Sequence, residues 1–254
     1  MTVLVGGVSE LFQGDLDLGR LAVERLRGER LGPDTVVEDL YYGAVAVAQR
    51  LQDLRPQSLV LVGATRRGRP PGAVERRRVR PPAMAAAEFQ LAVGDAVVGY
   101  VDIDLVIQVA AGLGALPART VAVEVEPVGT ESAQSLSALA ASGLEAALEL
   151  VRAEVRRAPL LGLADQLRER AAGCRLEPAP APALDTLERL LAELDILDRD
   201  GRWGRSFALR DRLRLQIAAG ETGAGMDHLD WGLWWTLIEE LDRLEPLEAG
   251  VLPQ

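Results

Sequence analysis

The sequence predicts an α/β protein whose mostly parallel sheet is sandwiched by helices, followed by a small all-helical C-terminal domain. Three observations lead there. Short β-branched runs alternate with segments of helical period along the first 157 residues. One of those runs, Ser58 to Gly63, is apolar almost throughout, as suits a central parallel strand buried on both faces. Beyond a Pro/Ala segment the pattern changes to leucine stripes alone.

Taken in order, Thr2 to Gly6 is a short strand that ends in glycine, and Leu18, Leu21, Ala22, Val23 and Leu26 then fall on one helical stripe. A second strand is expected at Thr35 to Asp39, a second helix at Ala44 to Leu54 and a third strand at Ser58 to Gly63. An arginine-rich loop follows. Further strands are expected around Ala96 to Tyr100 and at Thr120 to Glu126, with helices at Ile103 to Leu113 and Ser137 to Arg156. A sheet of this kind places its site at the carboxyl ends of the strands.

Residues 158–183 hold one short amphipathic piece and then Glu177-Pro178-Ala179-Pro180-Ala181-Pro182, the composition of an extended linker. The expected domains are therefore 1–157 and 184–254. In the second, Leu184, Leu187, Leu190, Leu191, Leu194 and Leu197 form a stripe, with further helices expected at Phe207 to Ala219 and Leu229 to Leu244. Its four tryptophans, Trp203, Trp231, Trp234 and Trp235, either pack a three-helix core or, where exposed, mark a partner surface.

Composition excludes several function classes. The net charge of −10 disfavours nonspecific nucleic-acid binding, which draws on cations that displace phosphate counterions. No apolar stretch approaches the roughly 20 residues of a membrane span, and no signal-peptide pattern opens the chain, so a cytoplasmic protein is expected. All 28 basic residues are arginine and asparagine is absent, a bias expected of a GC-rich, bacterial coding sequence. Cys174 and His228 are the sole cysteine and histidine, which leaves no disulfide framework and no multi-histidine metal centre. A dinucleotide site is excluded because Gly6-Gly7 lacks the GxGxxG spacing, and a serine hydrolase because no GxSxG elbow exists.

The run Val3-Leu4-Val5-Gly6-Gly7-Val8-Ser9-Glu10, continued by Gln13-Gly14-Asp15-Leu16-Asp17-Leu18-Gly19, resembles the opening of nickel-iron hydrogenase maturation proteases. Matching blocks follow in the same order: Val37-Glu38-Asp39 before Gly43, Leu59 to Ala64 leading to Pro70-Pro71-Gly72-Ala73-Val74, and Leu113 to Pro117 leading to Val121 to Pro127. The resemblance covers roughly residues 1–156. It implies a phosphorylase/hydrolase-like fold and action on a hydrogenase large-subunit precursor, in which the family recognises nickel through two carboxylates and a histidine before removing a C-terminal extension. In this sequence the carboxylate positions fall on Leu16 and Gly63, and no histidine lies near Gly99 to Val101. The resemblance therefore leaves two readings: an unusual endopeptidase, or a non-catalytic pseudo-protease that serves as an assembly or scaffold factor through its helical tail.

A substitute metal site is conceivable in Asp15, Asp17, Asp102 and Asp104, which could converge at the strand ends and hold a hard cation. The plainer expectation is that Asp102 and Asp104 start the helix near Ile103, and that Asp15 or Asp17 caps the first helix. Arg66, Arg67, Arg69, Arg76, Arg77, Arg78 and Arg80 are expected to form a solvated loop, or a patch that grips an acidic partner. No aromatic residue interleaves them, against a single-stranded nucleic-acid site. Catalytic residues are not assignable from the sequence.

Overall fold

A computed structural model describes residues 2–81, 84–97, 101–130, 133–174, 181–203, 206–220 and 231–248. The chain divides into two compact units, Met1–Val155 and Arg156–Gln254.

The first unit contains β1 (Val3–Gly7), a 3-10 turn (Gly14–Asp17), α1 (Leu18–Arg27), β2 (Thr35–Asp39), α2 (Ala44–Leu54), β3 (Ser58–Ala64), β4 (Val74–Arg78), α3 (Ala86–Val97), α4 (Ile103–Gly112), β5 (Arg119–Val125) and the start of α5 (Ala138–Cys174). Five strands form one sheet in the order β2-β1-β3-β5-β4. β1 pairs in parallel with β2 and β3, and β3 with β5, whereas β4 runs antiparallel to β5 at the edge. The sheet is thus mostly parallel, as the alternation predicts.

Alternation along the strands sorts the core. Leu4, Leu59, Leu61 and Ala122 point to the face covered by α2, α3 and α4, in one cluster with Val47, Leu51, Val106 and Val109. α1 packs on β1 and β3 from the other side, burying Leu18, Ala22, Val23 and Leu26. α5 lies beside α1, joined to it by Arg25–Glu145 at 2.8 Å, and buries Leu144, Leu148 and Val151.

Two expected features are corrected. Residues 96–97 end the helix α3 instead of opening a strand, and 98–100 lie outside the described residues. The fifth strand is β4, cut from the arginine-rich stretch expected to be a loop. Its register places Arg77 opposite Ala122 and Arg76 opposite Val123, so neighbouring arginines leave the strand on opposite faces. Arg76 meets the buried Glu154 of α5 through two bonds of 2.9 and 3.0 Å, and Arg78 donates to the carbonyls of Thr120 and Ala118. Hydrophobic periodicity could not find this strand, because its side chains pair with acids far away in sequence.

The second unit is helical: the remainder of α5, then α6 (Ala181–Asp200), α7 (Ser206–Gly220) and α8 (Trp231–Glu248). Residues 158–174, expected to begin a linker, continue α5 through Pro159; residues 181–183 open α6, and 175–180 lie outside the described residues. Leu160, Leu167, Leu190, Leu194, Leu213 and Leu241 build its core around Trp203. Arg157 stacks 5.1 Å from the centre of the Trp203 ring. Trp203 is thus a core residue, while Trp235 is exposed. Trp231 and Trp234 fall in α8, and His228 lies outside the described residues. Among the described residues no helix is long and apolar enough to cross a membrane.

Candidate functional site

The carboxyl ends of the parallel strands meet α1 at unusually close range. An added Cβ on Gly19 would stand 2.2 Å from the Val8 carbonyl oxygen, and one on Gly63 would stand 2.5 Å from the same atom. Only glycine permits that double approach. Val8, held further by its N–H to the Val62 carbonyl (2.9 Å), turns the chain so that Ser9 and Glu10 face the space beyond β3.

That space is a cleft of about 220 Å³ lined by Val8, Ser9, Glu10, Leu16, Ala64, Thr65, Arg66, Val101, Asp102, Asp104 and Thr130. Leu16 lines it and Gly63 immediately precedes the lining residue Ala64, so neither position that the family resemblance assigns to a carboxylate offers an oxygen ligand there. The Val8 carbonyl fills the place that a Gly63 side chain would need. The family's nickel-recognition set therefore does not fit here.

The four aspartates divide. Asp15 is buried and accepts from the Val128 N–H at 2.8 Å, the Ser137 N–H at 2.7 Å and the Ser137 hydroxyl at 2.9 Å, which fastens the segment after β5 to the loop after β1. Asp17 stands at the N-terminus of α1 but makes no capping hydrogen bond; its carboxylate instead receives Arg20 at 2.9 and 2.5 Å. Asp102 does cap α4, accepting from the Leu105 N–H at 2.7 Å. Asp104, in the first turn of α4, is clasped by Arg67 at 2.7 and 2.8 Å. Only Asp102 and Asp104 line the cleft. Among the described residues no three His, Cys, Asp or Glu side chains are grouped to hold a metal ion.

Behind Asp104 lies the acidic pair that sequence reasoning missed. Glu124 is fully buried on β5, and receives Arg67 at 2.8 Å, Arg77 at 2.6 Å and Arg69 at 3.4 Å. Glu126, also buried, accepts from the backbone N–H groups of Arg67 at 2.8 Å and Gly68 at 3.1 Å. The expectation of a solvated arginine loop is therefore corrected: much of the stretch satisfies internal carboxylates. Two glutamates, one within and one just after the mostly apolar β5, were the available signal, since buried charges require partners.

Burial alone would raise the Glu124 carboxyl, but Arg67 and Arg77 outweigh it and hold it below its ordinary value. Glu126 is likewise lowered, its burial offset chiefly by the Arg67 and Gly68 amides and by Arg69, and Asp104 is lowered chiefly by Arg67. Glu10 goes the other way, raised first by burial and then by the Asp102 carboxylate. Groups lowered in the folded state contribute stability that is complete above their unfolded pKa and is lost as pH falls through the folded value. Glu10 contributes with the opposite sign. Glu29, lowered by Arg152, makes a fourth lowered acid in the first unit against two raised ones, Glu10 and the half-buried Asp39, so the urea midpoint of that unit is expected to fall as pH drops from about 5 to about 3. Circular dichroism at fixed low salt checks this; a midpoint constant over that interval would count against the network.

No protein-family model matches the sequence, and no curated protein matches it. Solved structures similar to the chain include the hydrogenase-maturating endopeptidase HybD from E. coli, at 22% identity and a TM-score of 0.47 over 62% of this chain and 94% of that one. An endopeptidase from Escherichia coli is similar at 24% identity and a TM-score of 0.47, covering 63% of this chain and 94% of that one. A hydrogenase 2 maturation peptidase from a Thaumarchaeota archaeon is similar at 19% identity and a TM-score of 0.43, covering 59% and 95%.

Proposed function

We propose that the chain takes part in nickel-iron hydrogenase maturation by binding a large-subunit precursor or a related protein partner, without cutting it. The ordered sequence blocks from Val3 to Pro127 support the maturation context, since they resemble that family in strand ends and loops together. The observation that favours binding over cleavage is the Gly63 position, where the Val8 carbonyl stands 2.5 Å from any Cβ and a carboxylate has no room. Leu16 at the other expected ligand position points the same way. A cleft with Leu16 and Gly63 at the two expected carboxylate positions, and no histidine in its described lining, retains shape for a partner but not the donor set that would read a nickel ion in it. The endopeptidase reading needs other residues to supply that set, and Asp15 and Asp17 are committed to loop and helix contacts.

The test is incubation of the purified protein with nickel-loaded large-subunit precursor, followed by size-exclusion chromatography and intact-mass spectrometry. A complex with unchanged precursor mass is expected. Loss of the C-terminal extension would restore the peptidase reading, and no complex would remove the maturation reading.

A further inference from the structure

The cleft's polar lining is unevenly satisfied. Ser9 is 3% exposed, lines the cleft, and its hydroxyl has no hydrogen-bond partner among the described residues. The Thr65 hydroxyl, at the end of β3, is also buried and unpartnered. Buried hydroxyls left alone are uncommon, because each forfeits its hydration without replacement. Beside them Glu10 is half-buried and meets no cation among the described residues, although Asp104 and Glu124 nearby are each held by arginine. Arg66, the one basic residue in the lining, donates to the Thr130 hydroxyl at 2.7 Å.

Size and shape narrow the occupant. About 220 Å³ is below the range of roughly 300–1,000 Å³ usual for drug-sized ligands and cofactors, and suits a single long side chain. Val8, Leu16, Ala64 and Val101 offer apolar wall for a methylene stem, while Glu10, Ser9 and Thr65 offer oxygen acceptors. A guanidinium, with five N–H donors in a planar fork, matches several acceptors better than an ammonium does. The loop that bears Glu10 continues into Phe12, 70% exposed and held at φ 60°, and the loop after β2, at the carboxyl edge of the same sheet, exposes Tyr41 and Tyr42. Aromatic side chains are enriched among the contacts that carry protein–protein binding energy.

We infer that the cleft receives an arginine side chain from an exposed segment of a partner polypeptide, with Glu10 as its ion-pair partner and the Ser9 and Thr65 hydroxyls as further acceptors. The inference deepens the partner-binding reading above and rests on it only for the identity of the partner. Arg66 must stay on Thr130 for the cleft to keep its negative character, and Asp102 keeps its place as the cap of α4.

Titration calorimetry of the full chain with acetyl-Gly-Arg-Gly-amide and with its citrulline analogue separates charge recognition from shape. Saturable binding of the arginine peptide is expected, with the citrulline peptide weaker by about tenfold or more. Glu10→Gln should weaken the arginine peptide by a similar factor, and Thr65→Val by a few fold, with the thermal midpoint of each variant checked alongside. Equal binding of the two peptides, or an affinity unchanged by Glu10→Gln in a folded protein, overturns the proposal. Precursor binding that persists while the arginine peptide fails to bind overturns this inference and leaves the maturation reading standing.

Discussion

Replacing Glu124 by alanine is expected to lower the thermal midpoint by roughly 6–12 °C, which corresponds to about 3 kcal/mol at about 2–4 °C per kcal/mol for a chain of this size. The size of the effect comes from what is left behind. Glu124 is fully buried and receives three arginines, Arg67, Arg69 and Arg77, the closest contact being 2.6 Å from Arg77. Once the carboxylate is gone, those guanidiniums keep their partial burial and lose the one buried counterion they share, Arg67 and Arg77 retaining only Asp104 among the described residues and Arg69 retaining Glu75 and Glu126. The arginines are partly exposed, so solvent screens some of the loss, and the estimate stays at the low end of the range for a broken buried pair. A Glu124→Ala/Arg77→Ala double variant should lose less than the sum of the single losses, because the pair is coupled. Differential scanning calorimetry reads both; a single-variant shift under about 2 °C would show that β4 is held by its backbone ladder alone.

Introducing a carboxylate at the end of β3 has the second large effect. Gly63→Asp is expected to cost about 3 kcal/mol or more, since overpacking a fixed core costs typically 1–3 kcal/mol and the new carboxylate is buried without a partner. The obstructing atom, the Val8 carbonyl oxygen 2.5 Å from the new Cβ, belongs to a backbone that donates its N–H to Val62 and abuts Gly19. It cannot rotate away as a side-chain tip could. No nickel affinity should appear, because Leu16 supplies no oxygen and the only histidine is His228, outside the first unit. Urea denaturation and nickel titration together test this. A stable variant with micromolar nickel binding would show that the cleft can hold the ion and would count against the binding-only reading.

Much of the fold was legible because it depends on local pattern. β3 reads as a central strand from Leu59-Val60-Leu61-Val62 alone, and the α2 and α4 boundaries follow from apolar spacing and, for α4, from the Asp102 cap. The cleft was legible only as a place, the carboxyl edge of β1 and β3. Ser9, Glu10 and Thr65 carry no signal of a role in the sequence, since nothing adjacent to them distinguishes a lining side chain from a solvated one.

The sequence by itself determined the α/β alternation, the change to a helical second unit, and the presence of Leu16 and Gly63 where no side-chain oxygen can stand. Those depend on residue type and period, which no packing alters. Tertiary structure decided the rest. It turned an arginine-rich loop into β4, because Glu124 and Glu154 reach those arginines from 47 and 78 residues away. It also parted four candidate aspartates, giving Asp15 and Asp17 to loop and helix contacts and leaving Asp102 and Asp104 at the cleft. A charged side chain's role is set by which opposite charge reaches it at short range, and that distance does not exist until the chain has folded.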